Sequence, residues 1–465
     1  MLHLSENERT SIKIISSKLY YRLILCPGIA TAAIVLTWFI SPQVAQAAAG
    51  DLDPTFGVGG MLMTDISRST DIANAVAVQA DGKLVLVGQT YKNNDFSGED
   101  FVVTRYNTDG TLDTTFGRGG KVRTDFPGLA AVPSSVVIQS DGKIVVAGGA
   151  FPLFTFLGNF ELVRYNPNGS LDRSFGNGGI VTTTFPEGSY AFDVALQPDG
   201  KIIAAGTVFV DFNPGDISDT DFALARYNSD GSLDTTFGNG GTLMTDFFGN
   251  EDDAFSVLIQ PDGKIVAVGS ANNPASYYDF AAVRYLSNGT IDTTFGVAGK
   301  VSTDFGDQNF DRARSAALQS DGRIVAAGFA ISQNGGVQNF AVARYTSNGI
   351  LDTTFSGDGK TQIDFGNCCQ SATKLLLQSD GKIITVGGSN GESGDDDFLL
   401  ARLSPRGSLD NTFGVGGQVR TSFGDLNGGA NGAALQSDGK IVAVGFQATF
   451  SNQWANFALA RYLSQ

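Results

Sequence analysis

Leu112-Asp113-Thr114-Thr115-Phe116-Gly117 is the stretch that decides the fold, because the chain keeps returning to it. The same motif, or a close variant, starts at Leu52, Leu171, Leu233, Ile291, Leu351 and Leu409. Two more markers keep step with it. Asp-Gly-Lys/Arg starts at Asp81, Asp141, Asp199, Asp262, Asp321, Asp380 and Asp438. Arg-Tyr, once Arg-Leu, starts at Arg105, Arg164, Arg226, Arg284, Arg344, Arg402 and Arg461. Seven copies of a unit of about 60 residues therefore fill the chain beyond its first 50 or so positions. Such a fixed period signals a propeller or a solenoid and outranks any local reading. Length alone argues for about three domains, but stacked units share one continuous core and count as one.

Residues 112–170 show what a unit contains. Residues 121–126 alternate and are rich in β-formers, which reads as a strand, A. Residues 136–139 read as strand B. A tight turn follows at Ser140-Asp141-Gly142, and the next unit has the favoured form Pro198-Asp199-Gly200. Proline presets the first turn residue, aspartate bonds back to the backbone, and glycine accepts positive φ. Residues 143–148 are strand C, an almost unbroken apolar run expected of a strand buried on both faces. Residues 160–165 are strand D. Four antiparallel strands in this span make one propeller blade, so the predicted fold is an all-β, seven-bladed β-propeller. A β-solenoid would need capping repeats with a polar outer face, and neither end unit looks like a cap. Ring closure has two solutions: each blade is one contiguous unit, or the N-terminal A strand completes the last blade.

Residues 1–47 read as an export signal. Arg9, Lys13, Lys18 and Arg22 precede an uncharged, mostly apolar run over 23–40, and Ala45-Gln46-Ala47 offers small residues for cleavage. The competing reading is an uncleaved anchor, since 18 apolar residues just reach a short membrane span. Pro27 and Gly28 interrupt the run. Leu25 before Cys26 argues against a lipoprotein. The expected location is the periplasm, the cell surface or outside the cell.

Residues 48–465 hold 27 Lys/Arg against 45 Asp/Glu, a formal charge of −18. That field repels nucleic acid and anionic lipid, so membrane contact is expected only through an uncleaved N-terminus. The chain's single histidine, His3, lies in the signal, which removes histidine acid–base chemistry and imidazole metal sites from the rest. Cys368 and Cys369, adjacent, are the remaining cysteines, so no disulfide framework exists. A vicinal disulfide, two thiols or an intermolecular link are the alternatives for that pair.

The Leu-Asp-x-Thr-Phe-Gly, Gln-Pro/Ser-Asp-Gly-Lys-Ile and Phe-Ala-Leu-Ala-Arg-Tyr signatures resemble the delta-60 repeat, a β-propeller-type repeat of exported bacterial proteins. The resemblance covers residues 51–462. It implies fold and export, and brings no catalytic residues with it.

Strands alternate in direction, so the B–C turns and D–A connectors share one face and the A–B and C–D loops the other. The first face carries the recurring markers, whose Asp and Arg (Asp113, Asp172 and Asp234 with Arg105, Arg164 and Arg226) are expected to pair as structure. The C–D loops vary: Asp-Gly-Lys lies 22 to 27 residues before Arg-Tyr. Recognition is expected on this variable face. Its aromatic candidates are Phe151, Phe154, Phe156, Tyr277, Tyr278 and Trp454, suited to stacking on sugars or anchoring a protein. Asp65, Asp125, Asp246, Asp304 and Asp364 share one position at the end of strand A. If strand A lines the axis they form an acidic collar, a candidate calcium site. The Asn107-to-Asp113 stretch is too short for an EF-hand and reads as an Asx turn. No cofactor is expected. The functional expectation is a monomeric exported scaffold that binds a protein or polysaccharide. The alternative is a His-independent carbohydrate-active hydrolase or lyase on the variable face.

Overall fold

Every unit does fold as four strands, and the chain forms a seven-bladed β-propeller. The computed structural model describes residues 47–91, 99–152, 157–210, 219–306, 310–331, 336–366, 369–389, 397–424, 427–448 and 454–465. The first A strand is β1 (Met61–Thr64). Blade 1 follows as β2 (Asp71–Val78), β3 (Leu84–Tyr91), β4 (Glu99–Tyr106) and β5 (Lys121–Thr124). Blade 2 is β6 (Leu129–Ile138), β7 (Ile144–Pro152), β8 (Asn159–Tyr165) and β9 (Ile180–Thr183). Blade 3 is β10 (Ser189–Leu196), β11 (Ile202–Val210), β12 (Asp219–Tyr227) and β13 (Thr242–Thr245). Blade 4 is β14 (Asp252–Ile259), β15 (Ile265–Asn273), β16 (Tyr277–Tyr285) and β17 (Lys300–Thr303). Blade 5 is β18 (Asp311–Leu318), β19 (Ile324–Ile331), β20 (Gln338–Tyr345) and β21 (Lys360–Ile363). Blade 6 is β22 (Gln370–Leu377), β23 (Ile383–Ser389), β24 (Phe398–Leu403) and β25 (Gln418–Thr421). Blade 7 is β26 (Gly428–Leu435), β27 (Ile441–Ala448), β28 (Ala455–Tyr462) and β1.

A blade is therefore not one sequence unit. Each sheet takes B, C and D from one unit and A from the next, and β1 pairs with β28 in the register Met61↔Ala460. The second closure solution is the one adopted. It joins the two ends of the ring by backbone hydrogen bonds, which leaves no open gap between the first and last blades. B strands touch the B strands of neighbouring blades and line the axis, whereas each A strand packs mainly on its D partner at the outer rim.

Burial follows the apolar pattern. In strand C of blade 2, Ile144, Val145, Val146 and Ala147 are fully buried because both faces of the sheet are covered by other blades. Seven apolar clusters lie between successive blades; one joins Val145 and Phe160 of blade 2 to Ile202 and Ala204 of blade 3. The marker phenylalanines close these clusters, and Phe175 is fully buried. Each such burial is worth about 1.5–3 kcal/mol.

B strands run eight to ten residues, longer than residues 136–139 predict. Their upper halves carry Asn, Ser, Asp and Gly and so lack a β-former signature. Each contains a bulge, seen as a register shift between Ala73 and Ala75 in β2 and repeated in all seven. The extra residues are Asn74, Ser134, Phe192, Phe255, Arg314, Thr373 and Asn431, and together they line a cavity of about 100 Å³. A bulge re-aims a side chain that regular pleating would place elsewhere. It also accounts for a glycine in every C strand. A Cβ on Gly269 would lie 1.8 Å from the carbonyl oxygen of Asp253, and one on Gly88 2.1 Å from that of Ile72.

Hydrogen bonds around the axis run from blade to blade. Asn74 Nδ2 donates to Pro133 O (2.7 Å) and Ser135 Oγ to Asp193 Oδ1 (2.8 Å). Val257 N donates to Asp193 Oδ2 (2.9 Å) and Ala316 N to Ser256 Oγ (3.3 Å). Leu375 N donates to Ser315 Oγ (3.1 Å), Thr373 Oγ1 to Ala430 O (2.8 Å) and Asn431 Nδ2 to Ala73 O (3.0 Å). The axis is a stitched core rather than an open pore.

Candidate functional site

The marker face is occupied by structure. Arg105 Nε donates to Asp113 Oδ2 at 2.8 Å, its Nη1 to Pro167 O of the next connector at 2.5 Å, and its guanidinium lies 4.6 Å from the Phe116 ring centre. Lys83 of the Asp-Gly-Lys turn completes the cluster at 2.9 Å from Asp113. The same arrangement recurs at every blade, with Arg323 in place of lysine beside Asp352. Burial pushes these aspartates up, but hydrogen bonds from the following Thr or Ser and the neighbouring cations hold them below the usual carboxylate range. The predicted Asp–Arg pair thus lies within one blade, and the arginine's Nη1 bond to the next connector turns the cluster into an interblade staple; the arginines do not form an open anion-binding ring. Asn107-to-Asp113 is a turn as read, with Asp109 Oδ1 accepting Thr111 N at 2.9 Å.

The acidic collar at the axis is corrected. Asp65, Asp125, Asp246, Asp304 and Asp364 follow A strands, and A strands are outermost. The first strand of each sequence unit is the outermost strand of a blade and not the inner one. Four of the five cap local turns: Oδ1 of Asp65, Asp246, Asp304 and Asp364 accepts the N–H of Arg68, Gly249, Gly306 and Gly366.

On the variable face, Tyr277 and Tyr278 come together with residues that sequence reading missed. Tyr277 is 60% exposed and sits at φ 65°, a left-handed conformation costly for a bulky residue. Tyr278 is buried and donates its hydroxyl to Glu251 Oε2. Its ring stacks on Phe310 at 5.2 Å, with Tyr277 5.9 Å from the same ring on another side. Arg312 lies 4.0 Å over the Tyr278 ring and bonds Glu251 Oε1 at 3.0 Å. Phe310 remains 42% exposed. Next to Glu251, burial pushes the Asp253 carboxyl up to about 6, Glu251 adding to the effect and Arg312 and Arg314 opposing it. Burial, then Glu251, pushes the Tyr278 hydroxyl up to about 12. The result is an aromatic platform beside a hydrogen-bonding ion pair, between blades 4 and 5.

Phe310 occupies the position just before strand B, where Thr70, Gly188, Glu251, Cys369 and Asn427 stand in other units. A large apolar residue at a variable, otherwise non-aromatic position was the signal available. The other candidates lie apart. Phe151 is half-buried at the end of β7, and Trp454 is half-buried just before β28. Phe154 and Phe156 lie outside the described residues, as does Cys368; Cys369 is half-buried. Of the stretch read as an export signal, residues 1–47, all but residue 47 lie outside the described residues.

Six stretches, 79–116, 139–175, 197–237, 260–295, 319–355 and 378–413, match the sequence family described as a domain of unknown function (DUF5122) beta-propeller. The chain is a β-propeller repeat protein. No curated protein matches it significantly in sequence. Several solved structures are similar to this propeller at low identity. One is a catalytically inactive virginiamycin B lyase from Staphylococcus aureus with quinupristin, at 11% identity and TM-score 0.44, over 86% of this chain and 98% of that one. Another is a gluconolactonase from Xanthomonas campestris, at 8% identity and TM-score 0.37, over 84% and 97%. A third is a GH93 α-L-arabinofuranosidase of Fusarium graminearum with arabinobiose, at 9% identity and TM-score 0.44, over 71% and 93%.

Proposed function

We propose that this propeller is an exported, monomeric binding module built of delta-60 repeats, and that its variable face takes a polysaccharide at the Tyr277–Tyr278–Phe310 platform. The observation that carries this reading is the exposure of Tyr277 and Phe310 beside the Glu251–Arg312 pair. Sugar rings offer flat C–H faces to aromatic rings and hydroxyls to neighbouring donors and acceptors. A large aromatic residue held exposed at positive φ carries backbone strain, which favours a surface role. The −18 charge of residues 48–465 favours a neutral or cationic glycan over a polyanion.

A glycan array with the purified protein tests this. The expected result is a hit that is weakened at least tenfold in Tyr277→Ala and in Arg312→Ala. No hit, with a protein partner recovered instead, would sink the polysaccharide reading. Hydrolysis is the second reading, because Asp253 at about 6 beside Glu251 pairs a raised carboxyl with a second one. Release of reducing ends from the bound glycan, lost in Asp253→Asn, would favour it.

A further inference from the structure

Asp221, Asp246 and Asp252 meet where blade 3 joins blade 4. Asp221 stands on β12, Asp246 follows β13 and Asp252 opens β14. One carboxylate oxygen from each lies within 4.8 Å of the others, the one such group of three among the described residues. Asp252 is fully buried and only half satisfied. Its Oδ2 accepts Phe247 N at 2.6 Å, while Oδ1 has no hydrogen-bond partner. Capping that N–H does not require a charge. At the equivalent place in blade 6 the residue is Gln370, whose Oε1 accepts Phe365 N at 2.9 Å. Asp71 and Asp311 cap the same turn in blades 1 and 5, so the cap does not single out Asp252; its approach to Asp221 and Asp246 does. A buried oxygen without a partner, facing two more carboxylates, is an arrangement that a cation resolves.

We propose that Asp221, Asp246 and Asp252 bind one divalent cation of calcium's size, which clamps blade 3 to blade 4. Calcium holds oxygens at about 2.3–2.6 Å, so opposite ligands stand about 4.8 Å apart. The three carboxylates fit within that span. Asp221 is half-buried and Asp246 exposed, so water has access to complete the shell. Lys300 is the nearby competing cation, and its Nζ donates to the carbonyl oxygen of Asp246 at 2.5 Å. Lys121 and Lys360 make the same contact to the carbonyls of Asp65 and Asp304, so this lysine is a rim contact of the repeat. Asp279, Asp304 and Asp311 hold the equivalent positions at the next interface. There Asp279 already accepts bonds from Asn273, Ser276 and Ser302, and its capacity is taken.

The test is calorimetric titration of calcium chloride into the chelator-treated full protein, with the melting temperature read alongside. One cation per chain and a rise in melting temperature are expected. Binding should weaken at least tenfold in Asp221→Asn and in Asp246→Asn and stay unchanged in Asp304→Asn. These two sites are not deeply buried and Asn preserves their shape, so both variants should fold. No heat and no thermal shift would overturn the proposal. So would calcium binding that persists undiminished in both variants.

Discussion

Arg461 and Asp53 are 408 positions apart in sequence and 2.8 Å apart in space, Nε to Oδ2. This staple is chemically the same as the six others, but it alone ties the last unit to the first. Arg461→Ala removes one of the two cations on Asp53, with Lys440 remaining at 3.2 Å, and also the donor to the Thr108 carbonyl, at a cost of about 2–3 kcal/mol. Arg226→Ala should cost a similar amount in urea denaturation. Only Arg461→Ala should also free β1, so limited proteolysis should cut before residue 64 in that variant and not in Arg226→Ala. Equal proteolysis of the two would show that closure rests on β1–β28 pairing alone.

Acid should loosen all staples together. In Asp53, Asp292 and Asp410 burial raises the carboxyl, but hydrogen bonds from the following threonine and the nearby cations outweigh it and hold each at about 2. The folded value is below the unfolded 3.8. The stabilisation is therefore complete above pH about 4 and is lost as pH falls toward about 2. A melting temperature that stays level from pH 5 to pH 2 would contradict this.

Glu161 should act in the opposite direction. Burial pushes it up to about 8 against an unfolded 4.5, with Thr182 the one hydrogen bond opposing the rise. Its contribution is complete below pH 4.5 and declines as pH rises toward about 8, where the buried carboxyl must ionise. Glu161→Gln keeps an acceptor for Thr182 and removes the charge. The variant should match the parent at pH 5 and melt higher at pH 9; identical melting at both pH values would refute the assignment.

Gly269 is demanded by the bulge opposite it. A Cβ there meets the Asp253 carbonyl at 1.8 Å, so Gly269→Ala should cost about 3 kcal/mol. Gly240, with open space around it and φ 66°, is the control. Gly240→Ala should cost only about 1 kcal/mol, the strain of a left-handed residue. Similar losses for the two would mean that close approach is not what selects glycine in strand C.

Tyr277→Gly separates stability from function. Glycine takes φ 65° without strain, so the variant should melt as high as the parent or higher. It removes the most exposed ring of the platform, so glycan affinity should drop at least tenfold. A variant that melts lower and still binds would show that Tyr277 is a packing residue.

Periodicity by itself determined the all-β class, the number of blades, four strands per blade and the division into a uniform and a variable face. A repeat that cannot bury its apolar faces alone must stack on its neighbours, so the spacing of Leu-Asp-x-Thr-Phe-Gly carries the fold. Which strand faces the axis was decided only by ring closure. β1 pairs with β28, which makes strand B innermost and moves Asp65, Asp125, Asp246, Asp304 and Asp364 to the rim. Residues such as Glu251, Tyr278, Phe310 and Arg312 belong to different strands and loops, and no local pattern links them. Their meeting, like that of Asp221 with Asp252, depends on how two blades pack side by side. A one-dimensional repeat records what each unit is, whereas the contact between unlike residues of adjacent units exists only once the ring has formed.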